Sequence, residues 1–227
     1  MSYSSIKSLL VLILLSAISI STHAELPIYS WDIRDLARSP VENIKLRNEK
    51  DRLLKTVSAK QMVYLYAAMS SIAEASEVHA AFIIVDGEFA NAFAGTTEDG
   101  QNFVGINFAM LDILGTNLDM AAALIGHELA HIKLNHGEIT NKNIKLNKGK
   151  NLSVANTRYS RDNERDADYL GTIWAVEAGY DPRGAVALQE ALYKLSKKFS
   201  GSGINITHPS SIERVTVIKS LARRLKK

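Results

Sequence analysis

Cysteine is absent from all 227 residues of the sequence. Its absence excludes disulfide bonds, cysteine-ligated zinc sites and lipid attachment to an N-terminal cysteine. Any metal that this chain binds must therefore be held by histidine, aspartate or glutamate. A large charge excess is absent too, because the formal net charge is +3, which is too weak to indicate nucleic-acid binding.

Long hydrophobic runs are also lacking. The apolar stretch at residues 9–15 is shorter than the roughly 20 residues that a membrane-spanning helix needs. Lys7 precedes this stretch and the small residues Thr22 and Ala24 follow it, a pattern typical of a signal peptide cleaved after Ala24. We therefore predict that residues 1–24 are a signal peptide and that the protein is exported, to the periplasm in a Gram-negative cell. An uncleaved membrane anchor is the alternative.

The remaining composition, 46% hydrophobic and 22% charged, is that of an ordinary globular protein. About 200 residues are enough for one core, so residues 25–227 are predicted to form a single domain. Residues 41–75 have helical spacing of apolar side chains, which predicts packing helices there. Short apolar runs bounded by turn residues at 80–85, 91–95 and 103–109 predict a small antiparallel sheet.

The second half of the chain is predicted to be mainly helical. Apolar periodicity and capping residues predict helices over 120–134, 159–178, 185–198 and 210–225. Residues 141–156, rich in asparagine and lysine, are predicted to form a solvated loop.

The first of these helices carries the most informative motif, His-Glu-Leu-Ala-His at residues 127–131. His127 and His131 are one helical turn apart, so both project from one face and can chelate a single zinc ion. Glu128 lies about a third of a turn away, within reach of water at the metal, as a general base must be. Incidental histidines on an amphipathic helix are the alternative, disfavoured because an unpaired polar group is costly in so apolar a helix.

The sequence directly after this motif does not supply a third ligand. The metzincin pattern requires glycine at position 134 and histidine at 137, whereas this chain has Leu134 and Gly137. His136 is displaced by one residue, and we interpret it as a helix cap or a surface residue. Downstream carboxylates remain as candidates.

Glu164 is the best of these carboxylates, because it would complete a site of two histidines and one glutamate. Asp168 shares its helix face and could accept the free imidazole N–H of one zinc histidine, which fixes the tautomer. The small Ala167 would let the two helices approach. The alternative is a solvated charged face, since Arg165 and Asp166 are charged as well.

Together with two further segments, these motifs resemble the M48 family of zinc metallopeptidases. The family includes CAAX prenyl endopeptidases and bacterial membrane-protein quality-control proteases. The resemblance covers roughly residues 80–215 and rests on four motifs in order: residues 91–94, residues 127–131, residues 164–168, and His208-Pro209 with Arg214. Many members have several membrane spans or a helical-repeat domain. This chain has neither, so it is similar to the small, soluble, exported bacterial members, and prenylated substrates are disfavoured.

The resemblance implies an α+β, mostly helical, gluzincin-like metallopeptidase with a small antiparallel sheet bordering the active-site cleft. It implies one zinc ion per chain on His127, His131 and Glu164, with Glu128 as the catalytic base. It places a substrate-binding strand at the cleft edge, formed by Asn91, Ala92, Phe93 and Ala94.

Near the C-terminus, His208 is expected to donate a hydrogen bond to the reaction's oxyanion or to occupy the open zinc position in a resting state. A helix cap is the alternative role for His208. Arg214 is expected to anchor this segment through a carboxylate near the site.

The expected function is zinc-dependent hydrolysis of peptide bonds in unfolded or misassembled envelope proteins, as quality control. The expected partners are polypeptide substrates, with peripheral contact with membrane proteins and no nucleic acid. A chaperone-like protein that holds peptides in the same cleft is the alternative, and the intact Glu128 disfavours it because a binding protein needs no general base. A zinc carrier is disfavoured because the chain has no histidine-rich tract.

Overall fold

The computed structural model describes residues 3–4, 29–87, 90–97, 99–137, 152–198 and 212–225. For residues 3–4 and 152–160 it describes the backbone alone. The helices are α1 (Ile33–Ala37), α2 (Ala59–Ser76), α3 (Phe108–Leu114), α4 (Leu118–Lys133), α5 (Leu152–Glu177), α6 (Arg183–Lys198) and α7 (Ile212–Leu225). Within these ranges, no helix combines the length and the apolar character that crossing a bilayer requires. The predicted cleavage site after Ala24, and His208, lie outside the described residues, so both stay predictions.

The strands form two small sheets. They are β1 (Tyr3–Ser4), β2 (Ser30–Asp32), β3 (Asn43–Arg47), β4 (Leu53–Ser58), β5 (Ala81–Val85), β6 (Ala92–Thr96) and β7 (Asn102–Asn107). One sheet has the order β1-β3-β4 and the other β2-β5-β7-β6. The predicted antiparallel pairing holds for β2–β5 and β6–β7, whereas β5 and β7 run parallel. The chain reverses direction between β5 and β6 and again between β6 and β7. Because β7 pairs with β5 on one side, β6 lies on its other side, at the edge of the sheet.

The prediction of helix throughout residues 41–75 is wrong in its first half, where β3 and β4 form an antiparallel hairpin before α2 begins. Ile44 and Leu46 are fully buried two residues apart, which is the period of a strand. In the turn, Asn48 Oδ1 accepts hydrogen bonds from the backbone N–H groups two and four residues later. Asp51 adopts a left-handed conformation there, with φ 59°. An alternation this short cannot be distinguished from helical spacing by the sequence pattern alone.

The predicted helix over residues 120–134 is confirmed as α4. It begins where the Asn117 side chain accepts a hydrogen bond from the backbone N–H of Met120, which satisfies one of the free N–H groups of the first turn. Every residue from Met120 to Ala130 is buried. α4 packs against α2, α5 and α6 and against β6, so it is the central helix of the fold.

Other helix boundaries differ modestly from those predicted. α5 begins at Leu152, seven residues before the predicted start, so the predicted loop over 141–156 is wrong for residues 152–156. Residues 141–151 of that loop lie outside the described residues. The predicted stop is confirmed, because α5 ends at Glu177 and Gly179 follows with φ 89°. α6 and α7 begin within two residues of their predicted starts.

Two glycines set the distance between α4 and α5. A Cβ atom built on Gly126 would lie 2.5 Å from the backbone oxygen of Gly171, and one on Gly171 would lie 2.4 Å from the backbone nitrogen of His127. Each glycine costs about 1 kcal/mol of helix propensity relative to alanine, so packing is the reason for both. The close approach of the two glycines brings the backbone of α5 against the start of the His-Glu-Leu-Ala-His motif. The periodicity of the sequence does not indicate that these two glycines meet.

We predict that Gly171→Ala lowers the free energy of unfolding by about 1–3 kcal/mol, because the added methyl group drives the two helix backbones apart. Urea denaturation followed by circular dichroism measures this change. Gly137→Ala is the matched control, since a Cβ at that position has no neighbour within 4 Å. Unchanged or increased stability of Gly171→Ala would contradict the close helix crossing.

Candidate metal centre

Two histidines project from α4 into the space between α4 and α5. The Nε2 atoms of His127 and His131 are 3.1 Å apart. Both histidine side chains are largely buried, with 7% and 13% of their surface exposed. The four-residue spacing on a helix therefore brings the two imidazole nitrogens together, as predicted.

Glu164 reaches the same point from α5. Its Oε2 atom lies 3.4 Å from His127 Nε2 and its Oε1 atom lies 3.4 Å from His131 Nε2. One ligand atom from each of these three residues lies within 4.8 Å of the other two. Donors at about 2.0–2.1 Å from a tetrahedral zinc ion are about 3.3 Å apart, so the three side chains fit such an ion.

Asp168 lies one helical turn beyond Glu164 and approaches the far side of the His127 ring. Its Oδ1 atom is 3.0 Å from His127 Nδ1. Burial alone would raise the pKa of Asp168, but hydrogen bonds from Arg214 and His127 outweigh burial and lower it, so the group is a carboxylate. This contact directs the Nε2 atom of His127 toward Glu164, the geometry that metal binding requires.

Arg214 enters the site from α7 and is only 5% exposed. Its guanidinium donates two hydrogen bonds of 2.7 Å to the two oxygens of Asp168, and its Nη1 atom lies 2.7 Å from Glu164 Oε2. The structure thus places Arg214 against carboxylates at the site, where it was expected. Gln189 of α6 was not anticipated, and its Nε2 atom donates to Asp168 Oδ1 at 3.3 Å.

The electrostatics of the cluster favour a cation beside His127. Burial would lower the pKa of this histidine, but the adjacent carboxylates of Asp168 and Glu164 raise it to about 10. The same carboxylates favour positive charge at this imidazole, whether it is a proton or a metal ion held in its place.

The interpretation of His136 as a helix cap or surface residue is wrong. The side chain is buried, and its Nδ1 atom lies 2.9 Å from His131 Nδ1, on the side of that ring facing away from His127. Burial and the neighbouring His131 lower the pKa of His136 to about 4. α4 ends at Lys133 and is followed by a turn in which Asn135 has φ 55°. Helical spacing cannot predict a contact made after the helix has ended.

An apolar cleft of roughly 510 Å³, which is open to solvent, lies beside the candidate metal site. His127 and Glu128 lie in its wall, and the Glu128 side chain is almost completely buried. The apolar part of the wall comes from α3, α4, α6, α7 and the segment at β6; it comprises Ala90, Ala92, Met110, Ala123, Leu124, Ala185, Leu188, Leu192 and Ile218. The carboxyl group of Glu128 thus lies next to the candidate metal ligands, in a cleft whose wall is mainly apolar.

The strand expected at the cleft edge is β6 with the residue before it. Asn91 and Ala92 line the cleft. Phe93 instead covers Gly105 of β7 and packs edge to face on Phe103, with ring centroids 6.2 Å apart. Asn107 Oδ1 accepts a hydrogen bond from the backbone N–H of Asn91, which fixes the start of the strand.

Comparisons with known proteins agree with this geometry. The family model described as peptidase family M48 matches residues 59–148 and 143–222. The mitochondrial metalloendopeptidase OMA1 of Arabidopsis thaliana is 34% identical over 109 residues, a match that covers 41% of this chain and 22% of the relative. The chain therefore matches only about a fifth of that relative's length. Since the family model extends over most of the chain and includes both helices that carry the three candidate ligands, the chain belongs to peptidase family M48.

Proposed function

We propose that the protein is a zinc-dependent endopeptidase. The observation that carries this proposal is the convergence of His127, His131 and Glu164 beside Glu128 in the wall of an apolar cleft. The membership of family M48 and the printed name of the relative, a metalloendopeptidase, support the same activity. The absence of cysteine leaves histidine and carboxylate ligands, a set that suits catalytic zinc.

The residues around the ion have separate roles. Zinc, when bound by His127, His131 and Glu164, supplies Lewis acidity toward water and the substrate carbonyl. Glu128 acts as general base and takes a proton from the attacking water, then delivers it to the leaving amine. Its position in mainly apolar surroundings limits the bulk water that competes for this proton. Asp168 and Arg214 hold the His127 ring in the orientation that ligation needs.

The cleft supports a substrate class of extended, unfolded chains. Its wall is mostly apolar, so it suits the aliphatic side chains that folded proteins bury and misfolded proteins expose. β6 is an edge strand of the sheet β2-β5-β7-β6, and an extended peptide can pair with such an edge through its backbone. We infer that the natural substrates are unfolded or misassembled proteins of the cell envelope, which the exported enzyme removes.

A chaperone-like function of the same cleft is the second candidate, because apolar walls and an edge strand would serve peptide binding alone. The two functions differ in what they require of Glu128. A peptide-binding protein needs no proton acceptor next to a metal, whereas hydrolysis does. Hydrolysis is favoured because a carboxylate is buried at this position, where it carries a desolvation cost.

Removal of the proposed carboxylate ligand tests the metal site. Glu164→Ala is expected to weaken zinc binding by more than about 100-fold, beyond the loss usual for a residue that only supports a ligand. Competition with a chromophoric chelator measures the dissociation constant. Asp166→Ala is the control, since Asp166 is exposed on the same helix and should leave affinity unchanged. Retention of one tightly bound zinc ion by Glu164→Ala would mean that another residue is the third ligand.

The Glu128→Gln variant distinguishes a loss of catalysis from a loss of zinc binding. The variant is expected to keep its zinc and its melting temperature, while cleavage of unfolded casein falls by about 100-fold or more, because an amide accepts no proton at neutral pH. Zinc content, calorimetry and fluorescent-casein hydrolysis are the three measurements. Glu177→Gln, at an exposed position at the end of α5, is the control and should cleave normally. Zinc-loaded wild-type protein that binds casein without cleaving it would support the chaperone-like function instead.

The edge-strand model is tested with backbone-methylated peptides and the zinc-loaded Glu128→Gln variant. N-methylation deletes one backbone donor without changing a side chain, so the residue that pairs with β6 should lose about 3- to 10-fold in affinity when methylated. Fluorescence anisotropy along a methylation scan of one peptide measures this loss. The same peptide methylated at its distal end serves as the control. A scan with equal affinity at every position would contradict pairing with the strand.

A further inference from the structure

The two histidines of the metal site have different supporting partners. The Nδ1 atom of His127 faces the carboxylate of Asp168 at 3.0 Å. The Nδ1 atom of His131 faces another imidazole, that of His136, at 2.9 Å. The ring centroids of His131 and His136 are 5.0 Å apart and the two ring planes are inclined by 72°. His136 therefore approaches His131 at the ring nitrogen opposite the one that faces Glu164.

The tautomers of the two rings determine which of them donates the hydrogen bond and which accepts it. A histidine that binds a metal through Nε2 carries its remaining proton on Nδ1. His131 must then donate at Nδ1, and a nitrogen 2.9 Å away can only accept, so the proton of neutral His136 is on its Nε2 atom. The contact thus selects one tautomer for each ring.

We propose that His136 is the positioning residue of His131, accepting its Nδ1–H and holding its Nε2 atom toward the metal. This proposal rests on the function proposed above, because it assigns a role toward the same zinc ion. His136 is not a ligand in this arrangement, since it lies behind the His131 ring, and it makes no contact with substrate in the proposed mechanism.

A neutral partner suits this position electrostatically. Glu128, Glu164 and Asp168 already place three buried carboxyl groups around the site, with Arg214 as the buried cation. Another carboxylate behind His131 would add negative charge that the site would have to balance at a desolvation cost. An imidazole fixes the tautomer without adding charge.

The turn after α4 brings His136 to this place. The backbone N–H of Asn135 bonds to the carbonyl oxygen of Ile132, and Asn135 has φ 55°, a left-handed conformation that asparagine tolerates better than most residues. This turn follows α4 directly, and the side chain of His136 after it lies beside that of His131. The side chain is buried there, which restricts its alternative orientations.

A pair of nearly isosteric variants tests the proposal. His136→Leu removes the acceptor, whereas His136→Asn places an amide oxygen close to where Nδ1 lies. We expect His136→Leu to weaken zinc binding by about 10- to 100-fold, as for loss of other residues that support a ligand, and His136→Asn to stay within about threefold of the wild type. Chelator competition measures both constants. The exposed histidine variant His79→Leu is the control and should bind zinc normally.

Two outcomes of the affinity measurements would overturn the proposal. If His136→Leu binds zinc as tightly as the wild type, His136 has no role in ligation. If the Leu and Asn variants lose affinity equally, the residue only fills space. Nitrogen-15 NMR of the zinc-loaded wild-type protein needs no variant, and it should show His131 protonated at Nδ1; an unprotonated Nδ1 would refute the contact. Failure of the wild type itself to bind zinc would instead refute the proposed function.

Discussion

Two carboxylates buried on one face of α5 are the constraint on which the rest of the site depends. Glu164 and Asp168 are both almost fully withdrawn from water, and an unpaired buried charge costs several kcal/mol. Arg214 offsets part of this cost through hydrogen bonds to Asp168 and its ion pair with Glu164, which ties α7 to α5. His127 offsets more of it from α4. The cluster therefore joins three helices, and the loss of any one of these side chains would deprive a buried polar group on another helix of a partner.

This charge cluster is possible only because α4 and α5 approach closely. Gly126 and Gly171 place the backbone of one helix against the other, and the fully buried Ala167 lies between the two carboxylates in sequence. Longer side chains at these positions would separate the helices and move Glu164 away from the two imidazoles. The helix propensity lost at the glycines is thus offset by the ion pairs and the metal-ligand geometry that the short distance permits. The packing of the two helices and the geometry of the candidate metal site therefore both depend on the close approach of α4 to α5.

The parts of this arrangement that repeat along a helix were predictable from sequence. His127 with His131, and Glu164 with Asp168, are each four residues apart, so their shared faces follow from helix geometry alone. The hairpin of β3 and β4 was missed because a two-residue alternation at Ile44 and Leu46 is too short to dominate a helical pattern. The places of His136 and Gln189 depend on where the chain goes after a helix ends and on how a third helix packs. Neither property is encoded in local periodicity.

The formal charges of the site also indicate the kind of cation it suits. The carboxyl groups of Glu128, Glu164 and Asp168 and the guanidinium of Arg214 all lie at buried positions. With all three carboxyl groups ionised, two negative charges would remain unbalanced by Arg214, and a divalent ion held by neutral imidazoles would match them. The carboxylates around His127 also raise its pKa to about 10. Because the same imidazole would hold either a proton or the metal ion, binding of a metal there would displace a proton. The neutral partner of His131 preserves this balance, because the imidazole of His136 orients its neighbour without adding charge.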